Sequence, residues 1–192
     1  MSSASERELI RRARAGDEDA FAELVGLHAG RVYGVLRRFG LGPDEADEVA
    51  QEVFLRAWRG LPRFEERSQL STWLYRIAFN EAQRRLARRP ARRAVPDPDR
   101  DDAIAAVPEA SNLAPETQAL DREFERTLEH ALMQLPADWR MAVVLRDIEG
   151  LSTEEAAEIT GVTQAAFKSR LHRGRMQLRA LLEPYLQLEE DR

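Results

Sequence analysis

The strongest constraint on the fold is a helical rhythm that recurs in almost every apolar stretch of the chain. Around residues 44–60 it is clearest: Ala46, Val49, Ala50, Val53, Phe54, Ala57 and Trp58 recur at spacings of three and four and form one stripe. Asp44, Asp47, Glu48, Gln51, Glu52 and Leu55 fall outside it, and Gly60 with Pro62 closes the helix. Strand-type alternation does not compete with this pattern. A short first helix is expected behind a capping box of Ser5 and Glu8, ending at Gly16, and a second over residues 19–39 with Gly40 after it. A fourth is expected from 71 or 72 to 89, with Leu74, Ile77, Ala78 and Leu86 inward and Pro90 as its stop.

The pattern lapses after Pro90. Residues 91–118 carry Pro96, Pro98, Pro108 and Pro115 among scattered Ala and Asp with no sustained period, the composition of a linker. Periodicity resumes with Leu120, Phe124, Leu128, Leu132 and Leu135, then Pro136 and a helix bearing Trp139, Ala142, Val143, Val144 and Ile148 up to Gly150. The expected architecture is all-α: two small helical domains, residues 1–90 and 119–192, joined by a flexible acidic linker, residues 91–118.

Charge is distributed along the chain in blocks. The net charge is -5, yet residues 76–93 hold seven Arg against Glu81 alone, and residues 163–180 hold Lys168, Arg170, Arg173, Arg175 and Arg179 with no acid. Residues 95–118 of the linker carry Asp97, Asp99, Asp101, Asp102, Glu109 and Glu116 against Arg100 alone. Two basic stripes separated by an acidic tether suit a protein that meets nucleic acid at two places. The absence of Cys excludes disulfides and thiolate zinc sites, and His28, His130 and His172 are too dispersed to suggest a metal cluster, so neither metal nor cofactor is expected. No run of about 18 apolar residues occurs, and the N-terminal residues lack the apolar stretch of a secretory signal, so a cytoplasmic chain without membrane insertion is expected.

Ser152 with Glu155 makes a second capping box ahead of a short helix in which Ala156, Ala157 and Ile159 face inward. Gly161 supplies a turn, Val162 packs in the corner, and Thr163 caps a longer helix whose buried side is Phe167, Leu171, Leu178 and Leu182. Short helix, Gly turn and long basic helix form a helix-turn-helix pattern. Its outer face presents Gln164, Lys168, Ser169, His172, Arg173 and Arg175, mixing groups that read base edges with groups that neutralise phosphates. A helical hairpin with a solvated basic face has the same pattern.

Taken together, DEADEVAQEVFLRAWRGLPRF, STWLYRIAFNEAQRRLAR and LSTEEAAEITGVTQAAFKSRLHRGRMQLRALL resemble the sigma-70 family of bacterial transcription initiation factors, in its extracytoplasmic-function (ECF) group. The resemblance covers nearly the whole chain, with the Pro-rich linker standing where larger members carry a third domain. It implies binding to core RNA polymerase, at its clamp and flap, and to promoter DNA, an anti-sigma partner, and a monomer when free. It assigns Asp47, Gln51, Glu52 and Leu55 to the polymerase clamp, although the solvated face of an amphipathic helix reads the same way. It assigns Trp73, Tyr75, Arg76 and Asn80 to the opened minus-ten element, with Arg84, Arg85 and Arg88 on the backbone; either aromatic could instead be core. It assigns Lys168, Ser169, His172 and Arg173 to the minus-thirty-five element, beside Gln164, with Arg170 and Arg175 on phosphates. Phe167 stands where smaller or β-branched residues are commoner in the family. A lone helix-turn-helix regulator and a pure polymerase-binding inhibitor are the competing readings; no phosphate loop, nucleophile motif or acid-base constellation supports an enzyme.

Overall fold

The computed structural model describes residues 3–89 and 115–190, with side chains placed for residues 5–89 and 124–185. The described residues form eight helices and no strand. The first half comprises α1 (Ser3–Arg14), α2 (Glu18–Arg38), α3 (Pro43–Gly60), a 3-10 turn (Leu61–Arg63) and α4 (Leu70–Ala87). The second comprises α5 (Pro115–Gln134), α6 (Ala137–Val143) running into a π-helical turn (Val144–Ile148), α7 (Thr153–Thr160) and α8 (Gln164–Glu190). No helix among the described residues is long and apolar enough to cross a membrane.

Helix starts follow local chemistry. Asp17 caps α2 by accepting the Ala20 N–H at 3.0 Å. Pro43 opens α3 at the one helical position where a missing N–H is harmless, and the Glu45 carboxylate takes the Gly42 N–H at 3.3 Å. Two expectations need correcting. Ser5 lies inside α1 and does not cap it, and Glu8 pairs instead with Arg11 one turn on, at 2.9 Å. Helix α5 begins at Pro115, within the stretch expected to be linker, because Pro at a first helical position starts a helix as readily as it ends one. Residues 91–114 of the expected linker lie outside the described residues.

The helix carrying Trp139 also departs from a regular spiral. It widens into the π turn, the Glu149 N–H bonding the Val144 carbonyl at 2.9 Å, and Met141 to Leu145 are all buried in succession. Five consecutive buried residues go right round the helix axis, so this stretch has neighbours on more than one side. Here α8 packs on one side, and Phe39 and Gln83 of the first half bond to Arg140 and Met141.

Burial is continuous across the two halves. Phe39 meets Phe79 edge-on at 6.0 Å, and the same apolar cluster includes Leu132, Met141, Leu145 and Leu151 from the second half. The buried guanidinium of Arg140 spans the seam, donating to the carbonyls of Phe39 at 3.1 Å and Met133 at 3.3 Å. Gln83 donates to the Met141 sulfur at 3.2 Å. The two helical units therefore share a core.

Candidate nucleic-acid interface

The helix-turn-helix is built as its residues dictate. The Ser152 hydroxyl accepts the Glu155 N–H at 3.1 Å while the Glu155 carboxylate accepts the Ser152 N–H at 2.9 Å, so two orphan donors of α7 are satisfied reciprocally. That bond from Ser152 holds the Glu155 carboxyl below its ordinary range, against the opposing effect of partial burial. Gly161 closes α7 with φ +69°, a left-handed conformation that other residues adopt only with strain. Thr163 then caps α8 by accepting the Ala166 N–H at 3.2 Å.

Phe167, fully buried, and Leu171 seat α8 in the core and turn the opposite side outward. Gln164, Lys168, Ser169, His172 and Arg173 are exposed there, and the Arg173 guanidinium stands 6.0 Å from the centre of the Trp139 ring. The two expected phosphate contacts are tethered. Arg170 is half-buried and pairs with Asp138 at 3.1 Å, and Arg175 makes two bonds to Asp147, at 2.9 and 2.5 Å. Lys168, His172 and Arg175 line a cleft of about 280 Å³ together with Arg146 and Thr153. The last two were not anticipated: Arg146 lies outside both basic stripes and only the π turn brings it to α8.

On α4, Trp73, Arg76, Asn80, Arg84 and Arg88 follow one another at spacings of three and four and share a face. Asn80 is exposed. Trp73 is half-buried, lying against Phe64 at 5.0 Å and against Gly60. Tyr75 is on another side and is buried, its phenol facing Glu149; burial first and that carboxylate second raise its pKa. The basic stripe is also partly neutralised within the fold. Arg84 pairs with the buried Glu81 at 2.5 Å, Arg85 with Glu45 and Glu48 at 3.1 and 2.8 Å, and Arg89 with Glu45. Burial pushes the Glu45 carboxyl up, but the bonds from Arg89, Arg85 and the Gly42 N–H outweigh it and leave the group below its ordinary range.

A third surface is apolar. Between α2 and α3 lies an open groove of about 830 Å³ whose walls include Phe21, Tyr33, Phe54, Leu55 and Trp58. Asp47 and Gln51 also line it, so three of the four residues expected at the polymerase clamp meet at one feature, whereas Glu52 pairs with Arg56 at 2.7 Å. Leu55 is 51% exposed. Phe54 and Trp58, expected in the core, are half-buried walls of this groove. The α2 wall was missed, although Phe21, Val25, Ala29 and Tyr33 repeat every fourth residue and mark a second apolar stripe.

Comparison with known proteins places the chain in a family. Residues 24–94 match the model of sigma-70 region 2, and residues 125–178 match that of sigma-70 region 4. The RNA polymerase sigma-H factor of Pseudomonas aeruginosa is 36% identical over 94% of this chain and 95% of its own. The ECF sigma factor SigW of Bacillus subtilis is 33% identical over 90% and 94%. Among solved structures, CnrH in complex with the cytosolic domain of CnrY superposes with a TM-score of 0.65 at 26% identity, covering 94% of this chain and 98% of that one. RpoE in complex with the anti-sigma factor NepR from Bartonella quintana gives 0.64 at 27% identity, covering 85% and 96%. Each half of the present chain holds less than half of its 192 residues, so scores at this level require the halves to be arranged alike as well as folded alike. The chain belongs to the extracytoplasmic-function group of the sigma-70 family, factors that direct RNA polymerase to initiate transcription at promoters.

Proposed function

We propose that this chain docks on the clamp of core RNA polymerase through the α2–α3 groove, with Asp47, Gln51 and Leu55 at the contact and Glu52 beside it. Residues 1–90 would then read and open the minus-ten element with Trp73, Arg76 and Asn80, and Arg84, Arg85 and Arg88 would hold the strand backbone. Residues 119–192 would read the minus-thirty-five element with Gln164, Lys168, Ser169, His172 and Arg173, and Arg170 and Arg175 would exchange their carboxylate partners for phosphates. Residues 91–114 of the acidic segment would cross the polymerase cleft between them. On this reading the protein works in the cytoplasm, without a cofactor and without enzymatic activity of its own, and is monomeric when free. The RpoE relative is held by an anti-sigma factor, and we carry that class of partner over to this chain.

The groove carries this reading. An open apolar groove bordered by Glu18 and Asp47 suits a factor that must seat on a basic helical partner. The test is run-off transcription with core polymerase on a promoter library. Leu55→Asp should weaken core binding by about tenfold or more, the loss expected for a charged group at the centre of an apolar contact. Asn80→Ala should impair opening with closed-complex formation preserved. Arg173→Ala should weaken upstream recognition by about 1–3 kcal/mol and relax sequence preference there. Duplex binding by the isolated chain, with no polymerase-dependent initiation at any promoter, would favour a stand-alone regulator instead.

A further inference from the structure

Helix α7 carries Glu154, Glu155 and Glu158 with no base, and it packs against α4. Two of these acids reach across the seam. Glu158 pairs with Arg76 at 2.7 Å, and the Glu155 carboxylate accepts the Thr72 hydroxyl at 3.3 Å, one turn earlier on α4. Glu149, just ahead of α7, faces Tyr75 and lies 3.6 Å from Arg38. Arg76 stands at the border between this packed side of α4 and the face that includes Asn80 and Arg84.

The pairing at Arg76 is incomplete. Its Nη2 is bound to Glu158, while its Nε is buried with no partner among the described residues. The Arg76 side chain is nonetheless 39% exposed, so its outer nitrogens can trade the carboxylate for a phosphate, which offers several acceptor oxygens. Glu158 is itself 64% exposed at its side chain, so the contact can be exchanged without opening the core.

We propose that α7 acts as an internal stand-in for the nucleic-acid backbone: in the free chain Glu158, seconded by Glu155, occupies the edge of α4 that Arg76 offers to the single strand. The helix that supports upstream recognition thereby closes part of the downstream reading face. This inference rests on the assignment of Arg76 to the minus-ten strand made above.

The test measures fluorescence anisotropy of a labelled random-sequence single strand of about 12 nucleotides against the full-length chain without polymerase. Four proteins are compared: wild type, Glu158→Gln, Glu23→Gln as a charge-matched control on α2, and Glu158→Gln combined with Arg76→Ala. Glu158→Gln should tighten binding about three- to fivefold relative to Glu23→Gln, the range for losing a partly exposed ion pair. The gain should vanish in the Arg76→Ala background. Equal effects of Glu158→Gln and Glu23→Gln, or a gain that survives without Arg76, overturns the proposal. Promoter opening by holoenzyme carrying Arg76→Ala tests the underlying assignment separately: intact opening there removes Arg76 from the minus-ten contact, whatever the free chain does.

Discussion

A methyl group added at Gly174 would lie 2.8 Å from the Val143 side chain and 3.0 Å from the Trp139 carbonyl oxygen, so α8 approaches α6 more closely than any other residue would permit. At Gly26, by contrast, an added methyl meets nothing within 4 Å. Gly174→Ala should therefore destabilise the fold by about 1–2 kcal/mol, crowding outweighing the gain in helix propensity. Gly26→Ala, in the interior of α2, should stabilise it by about 0.5–1 kcal/mol. Urea denaturation of the two variants should shift the midpoint in opposite directions, and two shifts of the same sign would contradict the packing described. Neither role was legible in the sequence, where glycine reads as punctuation and nothing distinguishes a glycine needed for contact from one that is merely tolerated. Arg140 is a parallel case: a lone cation in an apolar run proves to be a buried clamp on backbone carbonyls of both halves.

Among the elements, α7 is the one whose short length leaves it most dependent on its cap. Ser152→Ala should cost about 1 kcal/mol by leaving the Glu155 N–H without its hydroxyl partner. The substitution also bears on pH. Because the Glu155 carboxyl is held below its ordinary range, its contribution to stability is present above the unfolded-state pKa and is lost as pH falls through the folded-state value. Acid titration followed by circular dichroism should show this loss in wild type, with Glu155→Gln flattening that part of the profile; an unchanged profile would count against the cap. The cap, the left-handed Gly161 and the Thr163 bond were all readable beforehand, because each depends on residues within four positions of one another. The continuation of α6 into a π turn was not, since only packing on several sides at once accounts for it.

At the scale of the whole molecule, closure should respond to pH. Glu149 is buried at the seam, and burial raises its pKa despite the opposing influence of Tyr75 on α4 and of Arg38 and Arg31 on α2. A carboxyl raised in the closed form stabilises that form below the open-form pKa, and the contribution disappears as pH rises through the closed-form value. Small-angle scattering should thus show the free chain expanding from mildly acidic toward neutral pH. Glu149→Gln, which imitates the protonated group, should remain compact and lose the dependence. Equal expansion of both proteins would exclude Glu149 as the titrating latch.

Periodicity, caps and charge blocks, all local properties, were enough to establish an all-helical chain, the helix-turn-helix and the row of exposed polar residues on α8, while the family came from the resemblance of three segments. Contacts between residues far apart in sequence decided the rest. They covered Tyr75, paired Arg85 and Arg89 with Glu45 of α3, drew Arg146 to the recognition helix, and opened a groove where Phe54 and Trp58 had read as core. A one-dimensional pattern records which side of a helix is apolar, but not whether the partner for that side comes from the same chain or from another molecule.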